Sequence, residues 1–207
     1  MTKHEPIVYI VDDDPAFRES LSILILAIGY RSKTFSSADD FLQGFDETKP
    51  GCIFLDVRMP RISGLALQEK LVAFPQCPPI IILTGHGEVS TALRALKQGA
   101  VEFLQKTFSE LDLRDAVQRA MSIDAARREQ FAKRKDLSDR LSKLSDPERR
   151  VLNLVLAGYP NKRIASALDV SQRAVEDRRS RVMQKLDVAT LPDLVRLAVN
   201  AGLKVDQ

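Results

Sequence analysis

A chain of 207 residues has room for two small domains, and 44% apolar with 29% charged residues is the composition of a folded, soluble protein, not a disordered one. No apolar run reaches the roughly 18 residues needed to cross a bilayer, and the start MTKHEPIVYIVDDD lacks the apolar region and cleavage site of a signal peptide, so a cytoplasmic location without a membrane partner is expected. The net charge of +3 is unevenly spread: residues 1–121 carry 13 Lys and Arg against 16 Asp and Glu, residues 122–143 carry 7 against 4, and residues 144–207 carry 11 against 8, which suits cations or phosphate chemistry in the first part and polyanions in the last.

Taken in chain order, residues 7–120 alternate strand-like apolar runs with segments of helical period. Strands are predicted over 7–11, 30–35, 52–55, 80–83 and 101–104, and helices near 15–28, 37–45, 64–73 and 88–98, with a further helix starting near Ser109. Asp14-Pro15 supplies an N-cap followed by proline at the first helical position, and Ser109-x-x-Asp112 resembles a capping box. Repeated βα units imply a parallel sheet with helices on both faces: a doubly wound α/β domain over residues 1–121. Cys52 and Cys77 form no CxxC or Cys/His cluster, so two buried thiols are expected in place of a metal site.

Residues 122–143 hold no Gly or Pro and many strong helix formers, which predicts a charged helical linker. From residue 144 to 207 the text is all helical. Ser145-x-x-Glu148 opens a helix that Gly158 ends, NKRIASAL forms a short second helix, and DVS turns the chain. Ser171 then caps a longer helix to Leu186, and Thr190-x-x-Asp193 caps a last one ending near Gly202. Two helices joined by a tight turn, the second rich in Arg, read as a helix-turn-helix. Helical spacing puts Ala174, Val175, Val182 and Leu186 inward. Arg173, Glu176, Asp177, Ser180 and Arg181 then face outward, Arg178 and Arg179 lie at the groove edge, and these seven with Lys162 are the candidate DNA contacts.

Binding crevices of open parallel sheets lie beyond the carboxyl ends of the strands. The residues found there are Asp12 and Asp13 after the first strand, Asp56 after the third, Thr84 after the fourth and Lys106 after the fifth. Three crowded carboxylates repel one another, and a hard divalent cation with a Lys ammonium relieves that repulsion. With the cation on Asp13, Asp56 and the carbonyl of Arg58, Asp56 keeps an oxygen free to attack phosphorus. His86 is either a tuner of water access or an ordinary loop histidine, and GHGEV is too short for a dinucleotide fingerprint.

These motifs, VDDD at 11–14, LDVRMPxxxG at 55–64, TG at 84–85 and Lys106, resemble the flavodoxin-like receiver domain of bacterial response regulators, and residues 144–203 resemble the LuxR-type helix-turn-helix. Together they are similar to the NarL/FixJ family. The resemblance implies that Asp56 accepts a phosphoryl group from a sensor histidine kinase, that Asp12 and Asp13 hold Mg²⁺, and that Thr84 and Lys106 bind the phosphoryl oxygens. It puts Phe103 at the family's aromatic switch position and Leu93 and Lys97 on the face of a phosphorylation-dependent homodimer. It further implies binding to promoter DNA and RNA polymerase, and no enzyme activity of the chain's own. Two rivals stand beside it: an Asp-nucleophile phosphohydrolase, against which position 58 is Arg where a second acid is needed, and a constitutive DNA binder with a degenerate receiver. The sequence departs from the family at Ala174, where Thr is common, at Arg178, where His or Tyr is common, and at Thr107, where the family has proline after the Lys. Without proline a cis Lys106-Thr107 peptide would cost about 2.5 to 4 kcal/mol, so a trans bond is expected, with Lys106 reaching Asp56 by another rotamer or leaving it.

Overall fold

The computed structural model describes residues 5–85 and 89–200; His86 and the helix end expected near Gly202 lie outside them. The chain divides into two compact units, one up to Glu129 and one from Gln130.

The first unit runs β1 (Ile7–Val11), α1 (Pro15–Ala27), β2 (Arg31–Phe35), α2 (Ala38–Gly44), β3 (Gly51–Asp56), α3 (Gly64–Leu71), β4 (Ile80–Thr84), α4 (Val89–Lys97), β5 (Glu102–Gln105) and α5 (Glu110–Ser142), the last continuing into the second unit. All five strands are parallel, in the order β2-β1-β3-β4-β5. Alternate residues of β1, β3 and β4 feed two cores. Tyr9, Val11, Ile53, Leu55, Ile80 and Ile82 pack with Phe41 of α2, Leu67 and Leu71 of α3 and Ala95 of α4. Val8, Ile10, Cys52, Phe54, Ile81 and Leu83 pack with Leu21 and Ile25 of α1 and Leu113, Ala116, Val117 and Ala120 of α5. Strands covered on both faces explain the unbroken apolar runs in the sequence. The order reverses at β1, flanked by β2 and β3, and the crevice beyond β1 and β3 is where such sheets bind ligands.

Two differences from the sequence reading concern ends and burial. Asp56 and Thr84 are the last residues of β3 and β4, pairing with Leu83 and Gln105 as part of the ladder, where a position just beyond each strand was expected. Cys52 is buried as expected, but Cys77 is only half-buried, because it sits in the loop before β4 and not in a strand.

Asp124 and Arg128, on the part of α5 that reads as solvated linker, are fastened to the first unit. Asp124 Oδ2 accepts from the Gly51 amide at 2.9 Å and from Arg128 Nε at 2.8 Å, and the Arg128 guanidinium donates to the carbonyls of Glu47, Thr48 and Lys49.

The second unit continues α5 and adds α6 (Asp146–Leu156), α7 (Asn161–Leu168), α8 (Gln172–Leu186) and α9 (Leu191–Asn200) around Val151, Leu152, Val155, Ile164, Val175, Val182, Leu186 and Leu194. Ala174, expected inward, is half-buried: it lies in the first turn of α8, where the helix emerges from the core.

Candidate functional site

Each acidic residue owes its place to a strand end. Asp12 follows β1, is fully buried, and is pinned from three sides: its amide donates to the Phe35 carbonyl, its Oδ1 accepts from the Asp14 amide at 2.9 Å, and its carbonyl accepts from Arg18 Nη1 at 2.6 Å. Asp13 is exposed at the rim. Asp14 caps α1, accepting from the amides of Ala16 and Phe17. Asp56 ends β3 at 4% exposure, and the Gly64 amide returns to the Val57 carbonyl at 3.0 Å. A Cβ on Gly64 would stand 2.1 Å from the Asp56 carbonyl oxygen, so this close turn beside the acid accepts no side chain.

Oxygens of Asp12, Asp13 and Asp56 all lie within 4.8 Å of one another. Lys106, in the turn after β5, sends Nζ to within 2.9 Å of Asp12 Oδ2 and 3.2 Å of Asp56 Oδ1. Its amide donates to the Thr84 carbonyl at 2.8 Å, tying the β5 turn to the end of β4. Among the described residues no peptide is cis, so the Lys106-Thr107 bond is trans as expected and Lys106 nevertheless reaches both acids. Its ammonium also lies over the ring of Phe17, 4.6 Å from the centroid. Asp12 Oδ2 touches the ammonium but makes no well-aligned hydrogen bond, so a buried carboxylate oxygen keeps unused acceptor capacity.

Burial, and then the charge of Asp12, push the Asp56 carboxyl up to about 6, the Lys106 ammonium opposing them in part. The carboxylates that Lys106 faces hold its own pKa above the usual lysine value although burial, the largest single influence, works the other way. One ammonium therefore neutralises the cluster incompletely. A hard cation with oxygen ligands fits what remains: Asp13 at the rim, Asp56, and the free acceptor of Asp12.

Thr84 is 4% exposed at the end of β4. Phe103 belongs to neither core and is 38% exposed on β5, while Leu93 and Lys97 are exposed on α4. Arg58 is exposed in the loop two residues after Asp56.

In the second unit the turn between α7 and α8 is made by Asp169 in the left-handed region (φ 52°) and by Ser171, whose hydroxyl accepts from the Ala174 amide at 3.1 Å. Lys162, Arg173, Glu176, Asp177, Ser180 and Arg181 are exposed, and Arg178 and Arg179 are half-buried. Arg179 Nη1 donates to Asn161 Oδ1 at 3.0 Å, and Asn161 Nδ2 reaches Glu176 Oε1 at 3.5 Å. Sequence reasoning missed Phe17, Arg18 and Asn161 as partners of these sites. Each acts on a residue far away in the chain or through a backbone atom, and no local pattern marks such pairs.

Residues 8–118 match the response regulator receiver domain family and residues 142–198 the bacterial regulatory proteins of the luxR family. The chain belongs to the NarL/FixJ response regulators. It is similar to the response regulator protein TmoT of Ectopseudomonas mendocina, 41% identical over 95% of this chain and 90% of the relative, and to the transcriptional regulatory protein FixJ of Bradyrhizobium diazoefficiens, 39% identical over 96% and 97%. Among solved structures it resembles the response regulator StyR (39% identity, TM-score 0.86, covering 94% of this chain and 98% of that one) and full-length FixJ from B. japonicum (36%, 0.57, 97% and 99%). It is thus a two-component transcriptional regulator with a receiver and a LuxR-type DNA-binding domain. Among the described residues no helix is long and apolar enough to cross a membrane.

Proposed function

We propose that this response regulator takes a phosphoryl group onto Asp56 from a sensor histidine kinase, dimerises in consequence, and binds promoter DNA in the cytoplasm, where it engages RNA polymerase. The observation that carries the reading is the placement of Asp56 at the end of β3, 3.2 Å from the Lys106 ammonium and in one cluster with Asp12 and Asp13. An oxygen of Asp56 attacks phosphorus and forms the new P–O bond. The P–N bond to the donor histidine breaks, and its electron pair leaves with the imidazole. Lys106 stands where negative charge collects on the phosphoryl oxygens, and Thr84 is the hydroxyl at the end of the neighbouring strand that meets them. Asp12, Asp13, Asp56 and the Arg58 carbonyl are the groups that would hold Mg²⁺, which when bound supplies positive charge to the transferring group.

A phosphoryl group adds about 1.5 to 2 negative charges at neutral pH, enough to draw Thr84 toward it and bias the following loop. Phe103 on β5 is the aromatic that switches with Thr84, and Leu93 and Lys97, exposed on α4, lie on the surface through which that change favours a homodimer. Two linked helix-turn-helix units then occupy adjacent half-sites, and the tether raises the effective concentration of the second. Lys162, Arg173, Glu176, Asp177, Arg178, Arg179, Ser180 and Arg181 are the candidate contacts.

The test is acetyl phosphate with Mg²⁺, read by mass and by oligomeric state. Wild type should gain one phosphoryl mass and shift toward dimer, and Asp56→Asn, whose amide is nearly isosteric but a poor nucleophile, should do neither. Undiminished labelling of the variant would remove the assignment.

A further inference from the structure

We propose that Phe17 is a positioning residue of the acidic site, its ring face holding the Lys106 ammonium against Asp12 and Asp56; the inference rests on Asp56 being the phosphoryl acceptor. Lys106 is followed by Thr107, not proline, and sits in a trans turn whose backbone is tied by the Lys106 amide to the Thr84 carbonyl; that turn fixes the Cα but not where four methylenes carry the charge. Its side chain is 27% exposed and could turn to water. Instead Nζ lies 4.6 Å from the Phe17 centroid, with Asp12 Oδ2 at 2.9 Å and Asp56 Oδ1 at 3.2 Å. The negative face of an aromatic ring attracts a cation without competing as a hydrogen-bond acceptor, so the ammonium keeps its donors for oxygens.

The ring is itself fixed from two sides. Its backbone is set by the α1 cap, the Phe17 amide donating to Asp14 Oδ1 at 3.2 Å. The ring also meets Phe108 edge to face, centroids 6.3 Å apart at 78°. Phe108 lies two residues beyond Lys106, and its amide closes the turn onto the Gln105 carbonyl at 2.8 Å. Lys106 and Phe108 thus both contact Phe17, and the turn that carries the ammonium is referenced to α1. The consequence is a cation already in place when charge builds on the phosphoryl oxygens, which raises the rate of uptake.

Phe17 also contributes apolar packing to the α1 and α5 side of the sheet, so a truncation alone would confuse two roles. The discriminating experiment replaces Phe17 in the full-length chain by mono-, di- and trifluorophenylalanine, which keep the shape while draining the ring quadrupole. The rate constant for labelling by acetyl phosphate in Mg²⁺ is then followed by mass. The expected result is a graded fall, reaching about two- to fivefold at the trifluoro ring, with Phe17→Tyr close to wild type and Phe17→Leu at least as slow as the trifluoro form. A flat fluorinated series, with wild type labelling normally, overturns the role of Phe17 and leaves the acceptor reading standing. A wild-type chain that takes up no phosphoryl group removes the acceptor reading and this inference with it.

Discussion

The Nζ of Lys106 lies 3.2 Å from Oδ1 of Asp56 across a turn that contains no proline. The same ammonium is 2.9 Å from Asp12, so two of the three acids share one cation while Asp13 stands exposed at the rim. Asp13 is thus the carboxylate with the most to gain from a second cation and the least to lose in presenting itself to one. Asp13→Ala should lower Mg²⁺ affinity at least about tenfold, the equivalent of about 1.4 kcal/mol, and leave the fold unchanged. Calorimetric titration of the full chain checks this, and equal affinity in the variant would take Asp13 out of the site.

Arg128 gives a second expectation, on stability. Its side chain is 16% exposed, donates to three successive carbonyls and pairs with the buried Asp124, which also accepts from the Gly51 amide. Arg128→Ala strands the Asp124 carboxylate and the carbonyls together, and should cost about 3 to 5 kcal/mol in the first unit. Hydrogen exchange at the Gly51 amide reports it: protection there should collapse, and wild-type protection would show that the cluster carries no such weight.

These two sites show what a linear text displays and what it hides. The apolar run at Ile7–Val11, the Asp14-Pro15 cap and the Ser145-x-x-Glu148 box are local signals, and each stands in the structure where its pattern places it. The convergence of Asp12, Asp13, Asp56 and Lys106 was legible as well, because parallel strands put all their carboxyl ends on one edge. Arg128 reads like its charged neighbours on α5, since an Arg that caps distant carbonyls and one that faces water have the same letter and the same helical context. The Phe17 and Lys106 contact and the Asn161 and Arg179 pair join separate segments, and only the packed fold creates them.

The Asn161 and Arg179 pair sharpens what to expect of the helix-turn-helix. Arg181 is exposed, whereas the half-buried Arg179 already spends a guanidinium hydrogen bond, 3.0 Å, on Asn161. Arg181→Ala should lower the slope of log affinity against log salt by about 0.9, as loss of one phosphate contact does. Arg179→Ala should weaken binding with a smaller change of slope than Arg181→Ala, because a half-buried guanidinium held on Asn161 acts chiefly by fastening α7 to α8. Anisotropy titrations of the acetyl-phosphate-treated chain on duplex DNA of random sequence, across a salt series, separate the two. A slope change of about one for Arg179→Ala would make it a phosphate contact instead.

Glu148 carries a prediction about acid. It is 4% exposed at the third position of α6, its Oε2 accepting from the Ser145 amide at 2.8 Å and from Lys185 Nζ at 2.6 Å, while that ammonium also donates to the Lys143 carbonyl at 3.1 Å. The Lys185 hydrogen bond first, and then that of the Ser145 amide, draw the carboxyl down to about 2 against the opposing effect of burial. An unfolded Glu titrates near about 4.3. Between those values the unfolded chain binds more protons than the folded one, so the stability that Glu148 contributes is fully present above about pH 5 and is lost as pH falls through about 2. Glu148→Gln keeps the shape of the side chain but removes the charge. It should lower the stability of the second unit near neutral pH by about 1 kcal/mol, a modest figure because the freed Lys185 is one-third exposed and regains water. The gap between variant and wild type should then narrow steadily from about pH 5 to pH 2, which isolates this carboxylate from the others that titrate in the same range. Hydrogen exchange on α6 amides across that range measures it, and a gap that stays constant with pH would show that Glu148 acts through shape alone.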